Sequence, residues 1–216
     1  EYRVLVAVDK AGVEHWGGKE AYQAKLNAFF DQVNDFWNKA GNGRFNYYFR
    51  YIPDLQVIYD CSSRQLEKIY QKSAGFPNHD VLLIIDSILD FDDEESAKGW
   101  YCGGGADDLN MVICRSRSKT EHEDLFGIDY FHRGVAHEFG HYRGVTDLYA
   151  DRIRAKNNPV NHIEYEPDSC VMNSHYKTYK WSSYAVHIIN HTAKSKRPRR
   201  DFDGFFKQMF PENIQV

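Results

Sequence analysis

Long apolar runs are absent from this sequence of 216 residues. A membrane-spanning helix needs about 20 consecutive apolar residues. The longest candidate is the short stretch VLLII at residues 81–85. We therefore expect no membrane span. No internal repeat occurs either, which argues against a repeat architecture.

A charge excess of one sign is also missing. The sequence has 27 basic and 31 acidic residues, which give a formal net charge of −4, and the two signs are interspersed. Nothing in this balance suggests nucleic acid or an acidic substrate as a partner. Residues 90–95 contain five carboxylates. They lack the spacing of an EF-hand, so we interpret them as a solvated loop rather than a calcium site.

Cysteine is scarce, with Cys61, Cys102, Cys114 and Cys170. No Cys-x-x-Cys pair is present, so cysteine is a poor candidate for a zinc ligand. The even count is compatible either with two disulfides or with reduced thiols. Of the three possible connectivities, we predict Cys102 with Cys114, because these residues end a plausible turn. Cys61 would then pair with Cys170. The sequence begins at Glu1 without a signal-like segment, so we expect a removed leader or a trimmed chain.

Apolar periodicity in the first half of the sequence predicts strands alternating with helices. Residues Tyr2–Asp9 form a Val-rich strand, residues 12–18 a connection, and residues Lys19–Ala40 a helix with apolar residues at helical spacing. Alternating aromatic residues at 45–51 and the apolar stretch 81–85 predict two more strands. This order favours an α/β fold with a mainly parallel sheet covered by helices.

Further elements follow from shorter patterns. Residues 62–73 predict a short helix, residues 100–105 a Gly-rich turn, and residues 109–115 a strand. We expect this last region to form an edge of the sheet. Residues 129–143 and 182–193 predict two more helices.

The densest chemical signal is His137-Glu138-Phe139-Gly140-His141, which is followed by Gly144 and Asp147. Helical residues four apart share one face, so the two imidazoles can bind one metal ion. Glu138 can reach a water on that metal, and Gly144 can turn the chain so that Asp147 becomes a third ligand. Three protein ligands leave a fourth position open, as in catalytic zinc sites. The alternative is a helix with two surface histidines and a solvated glutamate.

This motif resembles the extended zinc motif of the metzincin metalloendopeptidases, and its final aspartate resembles the snapalysin-like members. Metzincins place a methionine in a tight turn beneath the zinc, and Met172 in the stretch Cys170-Val171-Met172-Asn173 fits that position. The resemblance implies one catalytic Zn²⁺, with Glu138 as general base, and a peptide or protein as substrate. It also implies a secreted or extracytoplasmic protein, and thus favours disulfides. We expect a monomer.

The resemblance further implies two lobes. Residues 1–144 would contain a twisted, mainly parallel sheet with an antiparallel edge strand, together with the zinc helix. Residues 145–216 would form a smaller, irregular lobe with the third ligand, the methionine turn and a terminal helix. Some metzincins add a tyrosine two residues past the methionine as an oxyanion donor. Here Tyr176 lies four residues past Met172, and His175 is an equal contender. Either side chain could instead line the pocket wall.

Two other functions remain open from the sequence. In one, the protein is a zinc peptidase whose third ligand is Glu164 or Glu166, which would leave Gly144, Asp147 and Met172 unexplained. In the other, zinc is structural in a binding module that cleaves nothing. A structural site has no need of a base, so the presence of Glu138 argues against this second alternative.

Overall fold

The computed structural model describes residues 1–44, 46–58, 72–73, 75–86, 100–104, 111–116, 131–145, 170–173 and 180–191. The predicted helix at 62–73 and the acidic stretch at 90–95 lie largely or wholly outside these residues. In chain order the elements are β1 (Tyr2–Asp9), α1 (Lys10–His15), α2 (Lys19–Ala40), β2 (Phe49–Tyr51), β3 (Gln56–Ile58), β4 (Val81–Asp86), β5 (Trp100–Gly104), β6 (Met111–Ser116), α3 (Phe131–Tyr142) and α4 (Ser183–His191).

Within these residues, six strands form one open sheet in the order β2-β1-β4-β6-β5, and β3 pairs with β1 beyond the end of β2. All pairings are parallel except that of β5 with β6. The predicted α/β fold with a mainly parallel sheet and an antiparallel edge strand is confirmed. Much of 145–216 is not described, so the division into two lobes stays a prediction.

The central strands are apolar on both faces because helices or loops cover a parallel sheet from both sides. Val4, Leu5 and Val6 of β1 are fully buried. The helix α2 has the bounds that its periodicity predicts and turns its apolar face toward the sheet. Its buried residues are Tyr22, Leu26, Phe29, Phe30, Val33, Asn34, Phe36, Trp37 and Ala40. No helix in the described ranges is long and apolar enough to cross a membrane.

Three local predictions need correction. Residues 100–104 form the edge strand β5 rather than a turn. Their backbone pairs with β6, beginning with Trp100 opposite Ser116. The connection expected at 12–18 overlaps the helix α1, which begins at Lys10 and which Asp9 caps by accepting a hydrogen bond from the Gly12 amide at 3.3 Å. The structure of the first segment thus depends on pairing with a neighbouring strand, and that of the second on a local helix cap.

The strand expected at 45–51 begins only at Phe49. Ahead of it, the side chain of Asn38 accepts from the amide of Tyr47 at 2.8 Å and donates to its carbonyl at 2.7 Å. These bonds satisfy the backbone of Tyr47 without a neighbouring strand. The alternating aromatic residues therefore do not mark a strand along their whole length.

The cysteines are only partly as predicted. Cys114 is disulfide-bonded, and Cys102 lies directly opposite it in the antiparallel register, as the predicted bridge requires. Cys170 is a buried thiol outside any disulfide, so its predicted pairing with Cys61 is wrong. Its sulfur lies in the core and accepts a hydrogen bond from the Ser182 amide at 3.4 Å.

Candidate metal centre

The helix α3 carries the His-Glu-His motif and packs against α2 and β5. Its apolar residues recur at helical spacing, and two aromatic pairs fix its position. Phe139 stacks on Phe49 at a centroid distance of 4.3 Å, and Phe131 stacks on Phe29 at 4.9 Å. The predicted bounds of 129–143 are close to the observed Phe131–Tyr142. The tertiary packing therefore fixes where the helix that carries the motif lies in the core.

Gly144 ends this helix, as predicted. Its φ is 88°, which is left-handed and costs little only for glycine. The amide of Gly144 donates to the carbonyl of His141 at 2.8 Å, and the amide of Val145 donates to that of Gly140 at 3.0 Å. This pair of bonds is the Schellman motif. The chain thus turns sharply just after the second histidine.

The motif side chains converge on one point. One ligand atom from each of His137, Glu138 and His141 can be chosen so that all three lie within 4.8 Å of one another. The His137 and His141 rings are 4.9 Å apart between centroids, nearly perpendicular. These three residues could hold a metal ion. The alternative of two surface histidines does not apply to His137, which is buried.

Backbone carbonyls orient both imidazoles. Nδ1 of His137 lies 3.0 Å from the Val171 carbonyl, and Nδ1 of His141 lies 2.8 Å from the Val145 carbonyl. A carbonyl only accepts, so each Nδ1 donates to it, and a neutral ring with its proton on Nδ1 has its lone pair on Nε2. Outer hydrogen bonds of this kind fix the tautomer of metal-binding histidines. The two rings are therefore prepared to bind a metal through Nε2.

Glu138 supplies an orphaned polar atom. The residue is only 5% exposed, and its Oε2 is buried without a hydrogen-bond partner among the described residues. A buried polar atom left unsatisfied costs about 1–3 kcal/mol. A buried carboxylate oxygen without a partner, next to two imidazoles that backbone carbonyls orient, fits a site that binds a metal ion and a water. The described donor set therefore suits the cofactor that the sequence predicts.

Met172 lies in a tight turn under α3. The amide of Asn173 donates to the Cys170 carbonyl at 2.9 Å, which closes the turn, and Met172 is fully buried. A Cβ built on Gly140 would lie 2.5 Å from the Met172 sulfur. The turn therefore touches the helix between its two histidines, and its Val171 also supplies the carbonyl that orients His137.

Trp181 lies beside Met172 and was not singled out from the sequence. Its backbone amide donates to the Ala40 carbonyl at 3.0 Å, and its indole donates to the Trp37 carbonyl at 3.2 Å. Its ring also lies within 3.2 Å of the Gly140 Cβ position. Only tertiary contacts distinguish this tryptophan from the others in the sequence. It therefore connects the C-terminal end of α2 with α3, the helix that carries the His-Glu-His motif.

Arg143 and its tyrosine neighbours were also missed. Arg143 is fully buried next to Gly144. Burial raises the pKa of Tyr2, and the Arg143 guanidinium opposes that rise. Burial likewise raises the pKa of Tyr142. An arginine at the end of a helix is ordinarily taken as exposed, so no sequence signal indicated this cluster.

The other predicted site residues lie outside the described part of the chain. They are Asp147, His175 and Tyr176, together with Glu164 and Glu166 of the alternative ligand set. The third ligand and the oxyanion donor therefore stay predictions. Among the predicted residues, the structure brings together His137, Glu138, His141 and the turn that holds Met172.

Comparisons with known proteins bear on the fold. No protein-family model and no curated protein matches this sequence. One similar solved structure, described as a chaperone–substrate complex, is 13% identical with a TM-score of 0.51. That match covers 90% of this chain and 35% of the other, so this chain spans about a third of its length.

A second similar structure is archaemetzincin from Methanopyrus kandleri, with 12% identity, a TM-score of 0.45, and coverage of 89% of this chain and 96% of that one. This likeness is too remote to carry an argument. The likeness to the chaperone–substrate complex shows the fold alone. The chain is an α/β protein in which His137 and Glu138, both buried, and the partly buried His141 could bind a metal ion.

Proposed function

We propose that this protein is a zinc-dependent endopeptidase. In this proposal His137, His141 and Asp147 hold one Zn²⁺, and Glu138 is the general base. The observation that carries it is the convergence of His137, Glu138 and His141 within 4.8 Å. Both histidines have their Nδ1 atoms at backbone carbonyls, so in this proposal each would bind the metal through Nε2. Two imidazoles and a carboxylate suit zinc, and three protein ligands are typical of a catalytic site.

Bound zinc would supply a Lewis acid that lowers the pKa of a water ligand to about 7 and polarises a carbonyl oxygen. The chain's own contribution is proton transfer. Glu138 would accept a proton from the attacking water and deliver it to the departing amine. Its Oε2 supports this role, because this atom is buried, has no hydrogen-bond partner among the described residues and lies beside the two imidazoles.

The substrate in this proposal is an extended peptide or protein segment. In the described part of the chain, β5 pairs only with β6 and packs against α3. An extended peptide can bind by adding a strand to an open edge. Tyr176 or His175 would stabilise the oxyanion, and Met172 would act as the methionine of a metzincin-type turn. We further propose that the protein is secreted or extracytoplasmic and acts as a monomer.

Metal content and proteolysis together test the proposal. Purified protein should contain one zinc per chain, cleave casein or gelatin, lose activity with a chelator and regain it with added zinc. Glu138→Ala should keep the zinc and lose cleavage by a factor of about 10²–10⁴ or more, as for other positioned bases. Glu14→Ala is the matched control, since this carboxylate is exposed and forms an ion pair with Lys10.

Three results would contradict the proposal. Activity of Glu138→Ala within tenfold of the wild type would exclude Glu138 as the base. Tightly bound zinc without cleavage of any peptide would favour the binding module. Loss of zinc on substitution of Glu164 or Glu166, with Asp147→Ala unaffected, would favour the glutamate-ligand peptidase.

A further inference from the structure

The guanidinium of Arg143 is completely buried at the C-terminal end of α3. Charged side chains are seldom fully buried without strong partners. Here Nη1 donates to the Tyr2 hydroxyl, and Nη2 donates to the Ile189 carbonyl at 2.9 Å and the Tyr47 hydroxyl at 3.3 Å. The guanidinium carbon also lies 5.1 Å from the ring centroids of Tyr2 and Tyr47. One side chain thus ties the end of α3 to β1, to the segment before β2 and to α4.

The backbone that Arg143 anchors also orients a metal-motif histidine. Arg143 is followed by Gly144, whose φ of 88° reverses the chain, and then by Val145. The Val145 carbonyl accepts the hydrogen bond from His141 Nδ1 at 2.8 Å. A shift of this turn would therefore rotate the His141 ring.

We propose that Arg143 is a positioning residue of the metal site. It fixes the turn at 143–145, and through the Val145 carbonyl it fixes the ring of His141. This inference rests on the proposed metal-dependent function. In this proposal Arg143 acts through the turn rather than as a ligand; among the described residues its guanidinium donates to Tyr2, Tyr47 and Ile189.

Arginine suits this position for three physical reasons. Its planar group offers five donors in a fixed fork, which suits three acceptors from separate parts of the fold. Lysine, in contrast, is a point charge on a flexible chain. A cation at a helix C-terminus is stabilised by the helix dipole. The faces of aromatic rings also attract the guanidinium. A buried charge is otherwise costly, which makes a purely space-filling role for Arg143 a poor explanation.

The test measures metal binding directly, apart from proteolysis. The zinc dissociation constant is measured by chelator competition, and the visible absorption spectrum of the Co²⁺-substituted protein reports ligand geometry. Arg143→Met keeps the side-chain volume without the fork and should raise the zinc dissociation constant about 10–100-fold, as loss of outer-shell partners does. Its Co²⁺ spectrum should also change. Arg143→Lys keeps the charge and should have an intermediate effect.

Asn34→Ala is the matched control. It removes another buried side chain that ties two elements together, through hydrogen bonds to the Phe49 carbonyl at 2.9 Å and amide at 2.7 Å. Thermal unfolding of every variant shows how much stability each has lost. If Asn34→Ala loses as much stability as Arg143→Met, it should still keep the zinc affinity and Co²⁺ spectrum of the wild type.

Wild-type zinc affinity and an unchanged Co²⁺ spectrum in folded Arg143→Met would overturn the inference and leave the proposed function standing. Equal weakening of zinc binding in Asn34→Ala would overturn it too, because general loosening would then explain the effect. If Arg143→Met fails to fold, Arg143→Lys and Tyr47→Phe decide in the same way. A wild-type protein that binds neither zinc nor Co²⁺ would defeat the proposed function, and this inference with it.

Discussion

Gly140→Ala tests the contact between the metal helix and the turn beneath it. Gly140 lies inside α3 between the two histidines, where alanine would normally stabilise a helix by about 1 kcal/mol. In this fold the added Cβ would lie 2.5 Å from the Met172 sulfur and 3.1 and 3.2 Å from two Trp181 ring atoms. The local preference and the tertiary packing therefore predict opposite signs.

The packing term should win. A carbon 2.5 Å from sulfur forces something to move, and both Met172 and Trp181 are fully buried. Trp181 is also held by hydrogen bonds to the Ala40 and Trp37 carbonyls. Overpacking a core costs about 1–3 kcal/mol, which exceeds the helix gain over most of that range. We expect Gly140→Ala to lower the free energy of unfolding by about 1 kcal/mol, or Tm by about 2–4 °C.

Urea titration and thermal unfolding measure this change, and Gly75→Ala is the control. Within the part of the chain that the structure describes, the new Cβ there would meet just the Lys72 carbonyl oxygen, at an ordinary 3.6 Å, so a gain of about 0.4–1 kcal/mol is expected. Met172→Ala should remove the clash, so the Gly140→Ala/Met172→Ala pair should show a favourable coupling of about 1 kcal/mol. Stabilisation by Gly140→Ala, or additivity in the double variant, would refute the reasoning.

Two further predictions concern the third ligand and alkaline stability. Asp147→Ala should lose most zinc affinity and all proteolysis, whereas Asp147→His should still bind zinc, because imidazole is a good neutral ligand; wild-type zinc stoichiometry and activity in Asp147→Ala would move the ligand elsewhere. Burial raises the pKa of Tyr51 to about 12. The contribution of this raised pKa to the free energy of unfolding is therefore complete below pH 10. It is lost as the pH rises through 12, and amounts to about 2–3 kcal/mol in all. Tyr51→Phe should make the pH 10–12 decline in unfolding free energy shallower, and an unchanged decline would contradict the raised pKa.

Periodicity predicted the elements whose apolar residues follow a clear strand or helix pattern in the sequence. The bounds of Tyr2–Asp9 and Lys19–Ala40 agree with the structure residue for residue. The metal motif was equally readable, because the four-residue spacing of His137 and His141 acts within one helix and the positive φ of Gly144 is a property of glycine itself. Such features depend on neighbours in the sequence, so their signals are present in the sequence alone.

The tertiary structure decided the contacts between residues far apart in the chain. It made residues 100–104 a strand by pairing them with β6, and it placed the Val171 carbonyl against a histidine 34 residues away. It also buried Arg143 among groups from β1, from α4 and from the segment before β2. No periodicity encodes these contacts, because each depends on how separate elements pack. The sequence therefore determined which residues could bind a metal, and the packed core decided how their rings are held.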